Sequence, residues 1–227
     1  MFVALPSRHR PALRWATPTL ALLLLAAFVW GQAQPQASLL RDWGALSGGL
    51  ASREAWRAGL HDGSILRLFT AMFLHADWAH LLGNLMFLLI FGLPAERMMG
   101  PWRLLGLFLF GGAVSNLAAG LYIGAPDRVI IGASGAVSAV IGAYLALFPT
   151  AKLGVVLPLG LFLEFVKAPA FLLIGVWIGL QVLFAYFRPA FGAVAWSAHI
   201  AGFVFGALFA LFVRAAIARR LRKRQGY

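Results

Sequence analysis

The chain has 227 residues, 62% of them hydrophobic and only 11% charged, with a mean hydropathy of +0.85. A water-soluble domain is about half apolar and about a quarter charged, so the composition describes a membrane protein; the apolar content excludes disorder, and a cysteine count of 0 excludes a disulfide-stapled scaffold. The formal charge of +12 would suit a nucleic-acid partner, but the basic residues gather at the ends, where hydrophobic segments need anchors, and form no basic face with polar readers.

A membrane-spanning helix needs about 20 apolar residues, with a floor near 17. Six stretches are candidates. Residues 15–30 are short but flanked by basic side chains that can snorkel. Residues 79–93 are closed by Pro94 and the charged pair Glu96-Arg97. Residues 102–123, 129–148 and 169–187 are each long enough, and 197–213 run into a basic tail. The fold class expected is an all-α integral membrane protein with six transmembrane helices.

Two connections have their own character. In residues 31–67, Leu39, Trp43, Leu46 and Leu50 recur at helical spacing among charged residues, which predicts amphipathic helices in the headgroup region. The segment between Lys152 and Lys167 has an apolar core of 11 residues broken by Pro158. That is too short to cross, and a re-entrant or interfacial piece is expected.

Six spans with both termini cytoplasmic place 13 of the 19 basic residues inside: Arg8, Arg10, Arg14, Arg97, Arg103, Lys152, Lys167, Arg214 and the five from Arg219 to Arg224. The remaining 6 lie outside, four of them in the one long loop, as the positive-inside rule favours. The domain reading is a cytoplasmic segment 1–14, a membrane domain 15–213 with the outer loop 31–67, and a basic cytoplasmic tail 214–227. The first span has a rival reading as a signal peptide, given its basic start and the Gly31-Gln32-Ala33 triplet.

In this topology the second, fourth and sixth spans run inward from the outer face. Their polar residues fall at that end: His75, His80 and Asn84; Ser134 in Gly132-Ala133-Ser134-Gly135; and His199 in Ala198-His199-Ile200-Ala201-Gly202. Each alone has a bland explanation. A serine among glycines allows close helix approach, a histidine at a helix mouth sits among headgroups, and an asparagine joins helices. Several at one level instead indicate a water-filled functional cavity, because intramembrane polar groups are costly.

The chemistry such a set performs is acyl transfer. Ser134 would be the nucleophile and His199 the base, with Gly132, Gly135, Gly202 and Gly206 letting their helices touch. The N–H groups at a helix start favour a developing oxyanion. His80 and Asn84, four apart, share a helical face and could add donors. No acidic residue stands near the group, so a dyad is expected and a triad is not.

These residues resemble the rhomboid intramembrane serine proteases. The resemblance rests on the His-x4-His-x3-Asn run at His75, His80 and Asn84, the Gly-x-Ser-Gly box at Ser134 and the Ala-His-x-x-Gly box at His199. It covers about residues 64–213 and also favours a retained first helix. It implies hydrolysis of a peptide bond in or beside a substrate's transmembrane helix. Ser134 and His199 would be catalytic; His80, Asn84 and the Ser134 N–H would form the oxyanion hole; His75 and Arg67 would support it. It implies no cofactor or metal, transmembrane proteins and membrane lipids as partners, no nucleic acid, and a plasma membrane, bacterial from the compact size and arginine usage. Two departures stand out. Ser138 occupies a place where the family often has an aromatic against the catalytic histidine, and Leu66 one where an aromatic precedes the loop arginine. The rival functions are a non-proteolytic rhomboid-like binding or quality-control factor and a small transporter. The first would lack Ser134 or His199; the second would continue its polar residues inward, where these spans become apolar.

Overall fold

The computed structural model of the chain describes residues 14–46, 52–123, 128–159, 162–187 and 196–225. Leu50 of the expected amphipathic pattern, and the segment 1–13, lie outside those residues. Among the described residues, three helices are long and apolar enough to cross a membrane: α5 (Trp78–Met99), α6 (Pro101–Ile123) and α9 (Trp196–Gln225). Shorter apolar helices pack with them: α1 (Ala16–Gln32), α7 (Ser134–Leu147) and α8 (Ala170–Phe187). Between α1 and α5 run α2 (Gln36–Trp43), β1 (Ala45–Leu46), α3 (Arg53–His61), a 3-10 turn, the single-turn α4 (Arg67–Thr70) and a second 3-10 turn. The short β2 (Val129–Ile130) precedes α7, and β3 (Lys152–Leu159) and β4 (Phe162–Pro169) precede α8.

The apolar surface faces outward. Leu22, Met86, Phe110, Val176, Leu208 and Phe212 are exposed, while Thr17, Glu96, Ser115, Asn116 and Ser138 are buried. Lipid rewards this arrangement, since it solvates leucine but leaves every polar group to find a partner inside the protein.

The centre is α7. Every residue from Gly135 to Tyr144 is buried, with α5, α6 and α9 packed around it. Small residues let α9 approach to backbone contact: a Cβ on Gly202 would fall into the carbonyl of Gly135, and one on Gly206 into that of Ala139. Gly142 is closed in the same way by the backbone of Phe203. Without a hydrophobic drive between helices in lipid, such close packing is the main source of association.

Three expectations are corrected. The fourth helix starts at Ser134 rather than residue 129, because Val129 and Ile130 pair with Leu46 and Ala45 across an antiparallel β1–β2 ladder. Leu46 is therefore strand, not part of an amphipathic helix; α2 and α3 do form in that loop. The second helix does not end at Pro94. It runs through that proline to Met99 and stops at Gly100, which has φ 92° and joins it directly to α6. Residues 152–167, whose internal structure the sequence left open, form a hairpin whose register pairs Lys152 with Pro169 and Leu157 with Glu164. Since its two ends are paired, α8 begins at the level where α7 finishes. The hairpin therefore leaves the alternation of helix directions intact.

Glu96 explains why charge did not end α5. Its carboxylate accepts from the backbone N–H groups of Ala16 and Thr17, both at 2.9 Å, and from the Thr17 hydroxyl at 2.7 Å. A buried anion is thus placed on the unpaired donors and positive dipole end of α1. The contact also fixes α1 antiparallel to α5.

Candidate active site

Three helix starts converge. Asp77 caps α5 by accepting from the His80 N–H at 2.8 Å, which sets His80 and Asn84 one turn apart on the face toward α7. The chain then reaches Ser134 through Gly132. That glycine has φ 111° and donates its N–H to the Ala71 carbonyl at 2.9 Å. A Cβ there would come 2.6 Å from Cε1 and Nε2 of His80, so only glycine admits both the backbone angle and the imidazole.

Ser134 is the first residue of α7 and His199 the fourth of α9. Nε2 of His199 lies 2.8 Å from Oγ of Ser134 in a hydrogen bond. Both residues sit at helix N-termini, so α7 and α9 enter from the same side of the bundle. Gly135 and Gly202, immediately below, close around Ser115 of α6: a Cβ on either would meet its side chain. Ser115 in turn donates to the Gly111 carbonyl at 2.6 Å.

The remaining residues surround this pair. His75 is buried, its Nε2 accepts from the Ala133 N–H at 3.5 Å, and its ring lies edge-on 5.0 Å from that of His80. Asn84 is buried and spends one amide N–H on the His80 carbonyl at 3.0 Å; a second N–H belongs to the same group. Arg67 is not among these side chains. Its Nε donates to the Asp42 carbonyl at 3.3 Å, alongside Thr70 to the Trp43 carbonyl at 2.7 Å, and so it ties α2 to α4. Asn116 of α6 anchors the same loop through the Leu68 carbonyl at 2.8 Å.

Ser138 is buried one turn below Ser134, and its hydroxyl donates to the Ser134 carbonyl at 2.7 Å. The aromatic surroundings of His199 come from elsewhere. Trp177 of α8 lies near-parallel to the imidazole, with centroids 6.1 Å apart and planes at 25°. Trp196 meets it edge-on at 5.8 Å and 89°. The sequence reading missed both. Trp196, three residues before His199 on one helix, had a usable signal in its spacing; Trp177 had none.

A bundle of outward-facing apolar helices with a serine–imidazole pair at converging helix starts defines a multi-pass membrane protein with a candidate nucleophilic site. The chain belongs to the rhomboid family: the Rhomboid domain matches residues 62–216, in a family that includes serine intramembrane proteases. It is 38% identical over 91 residues to the protein named "Putative rhomboid protease YdcA" of Bacillus subtilis (strain 168), covering 40% of this chain and 45% of that protein. It is 30% identical over 164 residues to Rhomboid-related protein 1 of Caenorhabditis elegans, covering 66% and 40%. Over 68 residues it is 46% identical to Rhomboid-like protein 11, chloroplastic, of Arabidopsis thaliana, covering 30% and 24%. The matched segments are thus less than half the length of each of these relatives.

Proposed function

We propose that the chain is a six-span intramembrane serine endopeptidase that cleaves transmembrane proteins in or beside their spanning helices. The observation that carries this reading is the 2.8 Å hydrogen bond between Ser134 Oγ and His199 Nε2 at two adjoining helix N-termini.

With Nε2 unprotonated, the Ser134 hydroxyl donates to it, and the oxygen attacks the scissile carbonyl as its proton passes to the imidazole. The tetrahedral oxyanion then lies beside the first N–H groups of α7, which have no acceptor within the helix. His80 and the second N–H of Asn84 are the side-chain donors on the same level. The imidazolium returns its proton to the leaving amine, and water deacylates Ser134 by the same route. His75 supports this set by packing on His80 and Ala133, and Arg67 by holding the outer loop.

A helix of 14 residues is about 21 Å long against a hydrocarbon core of about 30 Å. With its C-terminus near the inner boundary, α7 would start below the outer one, within reach of water from that side. A substrate helix in lipid has all its backbone groups paired, so it must unwind before a peptide bond can reach Ser134. Small or helix-breaking residues near the cut lower that cost. The reading places both termini in the cytoplasm of a plasma membrane and requires no cofactor.

The test uses purified protein and its Ser134→Ala variant in detergent, each with a model transmembrane substrate and a serine-directed fluorophosphonate. Cleavage and labelling are expected in the parent, with a loss of at least about 10³-fold in the variant. Equal rates in the two would remove Ser134 from the mechanism.

A further inference from the structure

The bundle gathers cations from distant parts of the chain at one end. Glu96 accepts from the first N–H groups of α1, so Arg14, just ahead of α1, and Arg97, next to Glu96, share a level. Tyr144 near the end of α7 meets Phe91 of α5 edge-on, and the Ala170 N–H donates to the Ala151 carbonyl, which sets Lys152 and the hairpin base at the same end. α9 runs parallel to α7, with Gly202 against Gly135 and Gly206 against Ala139. The same offset brings Arg214 beside Leu147, the last residue of α7. Arg14, Arg97, Lys152, Arg214, Arg219 and Arg222 are all exposed. Against them stand Glu96, buried and committed to α1, and Glu164 on β4. Among the described residues the one ion pair, Arg41 with Asp42, lies in the loop at the opposite end.

The apolar neighbours fix where this end sits in the bilayer. Phe212 is 90% exposed and Trp102 73%; the first needs hydrocarbon around it, and the second suits the boundary with the headgroups. Arg214 is therefore level with lipid phosphates. The helix does not stop there: it continues to Gln225, about 16 Å further at 1.5 Å per residue. Ile217 is buried and holds the first turn of this extension against the bundle. Helical side chains lean toward their N-terminus, so those of Arg219 and Arg222 point back at the bilayer.

We propose that this end of the molecule is a binding surface for anionic phospholipids, with Arg214, Arg219 and Arg222 of the α9 extension as its principal phosphate contacts. The inference does not depend on the protease reading. The guanidinium fork matches phosphate oxygens two at a time. The excess of cations favours lipids of net negative charge over zwitterionic ones, whose own ammonium groups meet the same cations. A phosphate at the hydrocarbon edge is a headgroup phosphate, so the geometry favours lipid over nucleic acid.

The test reconstitutes the full chain in phosphatidylcholine vesicles and measures, with chain-spin-labelled probes, the association of phosphatidylglycerol relative to phosphatidylcholine. The parent is compared with Arg214→Gln/Arg219→Gln/Arg222→Gln and with an outer-loop control, Arg53→Gln/Arg57→Gln, each checked by thermal unfolding. At low salt the parent should prefer phosphatidylglycerol by about threefold or more. Most of that preference should be lost in the α9 variant and kept in the control. It should also vanish in concentrated salt, where at about 1 M the screening length is about 3 Å. A parent without preference would overturn the proposal, as would an α9 variant that keeps it in full or a preference that survives the salt. The salt arm uses the parent alone, so it decides the matter even if the variant does not fold. A parent indifferent to lipid charge that instead binds a labelled RNA duplex, with a steep salt dependence, would assign the surface to nucleic acid.

Discussion

At the scale of single residues, the site depends on positions where no other side chain fits. Gly132 combines a positive φ with a ring against its missing Cβ. Gly132→Ala would add backbone strain of about 1–3 kcal/mol and push His80 away from the peptide before Ser134. The expected result is a fall in kcat/KM and in fluorophosphonate labelling of at least about tenfold, with the protein still folded in detergent. An alanine variant as active as the parent would mean that His80 is not required in its present place. Ser134, His199, His80 and Asn84 stood out in the sequence because each lies within a short local motif, and the structure places them at neighbouring helix starts. The indole of Trp177 was not, since the only sequence hint was negative: an aromatic absent at Ser138.

Among elements, charge placement misled the sequence reading and then proved structural. Glu96 looked like the end of a span, yet it is buried at 1% exposure and caps α1 with three hydrogen bonds. Glu96→Gln keeps the volume but removes the charge and turns an amide N–H₂ toward donors. A loss of about 2 kcal/mol is expected, measured as a lower midpoint of unfolding in mixed micelles, while α7–α9 chemistry is spared because Glu96 lies at the far end of α5. Unchanged stability would show that the carboxylate's charge contributes nothing to docking α1. The hairpin β3–β4 supplies a structure that the sequence left open. Its apolar residues, broken by Pro158, carry no period that separates a ladder from an interfacial helix; the pairing of Lys152 with Pro169 is what distinguishes them.

For the whole molecule, the decisive property is parity. Ser134 and His199 meet because α7 and α9 start on the same side, which in the proposed six-span topology makes α8 the one crossing between them. The paired ends of the hairpin preserve that count. The proposed orientation predicts that, in intact cells, an impermeant thiol reagent labels Arg128→Cys, just before β2, and spares Gly154→Cys at the base of the hairpin. The opposite pattern would put the site on the inner face and invert the topology.

What the sequence determined alone was the membrane class, the six apolar segments and the polar groups at one level. Those follow from segment length, composition and spacing along a single helix, which are local quantities. The tertiary structure decided the rest: which glycines meet at Gly135 and Gly202, where the Glu96 carboxylate finds its donors, that residues 152–167 pair as strands, and which aromatic faces His199. Each of these joins residues far apart in the chain, and no one-dimensional pattern specifies which distant surface will supply a partner to a group that lipid cannot solvate.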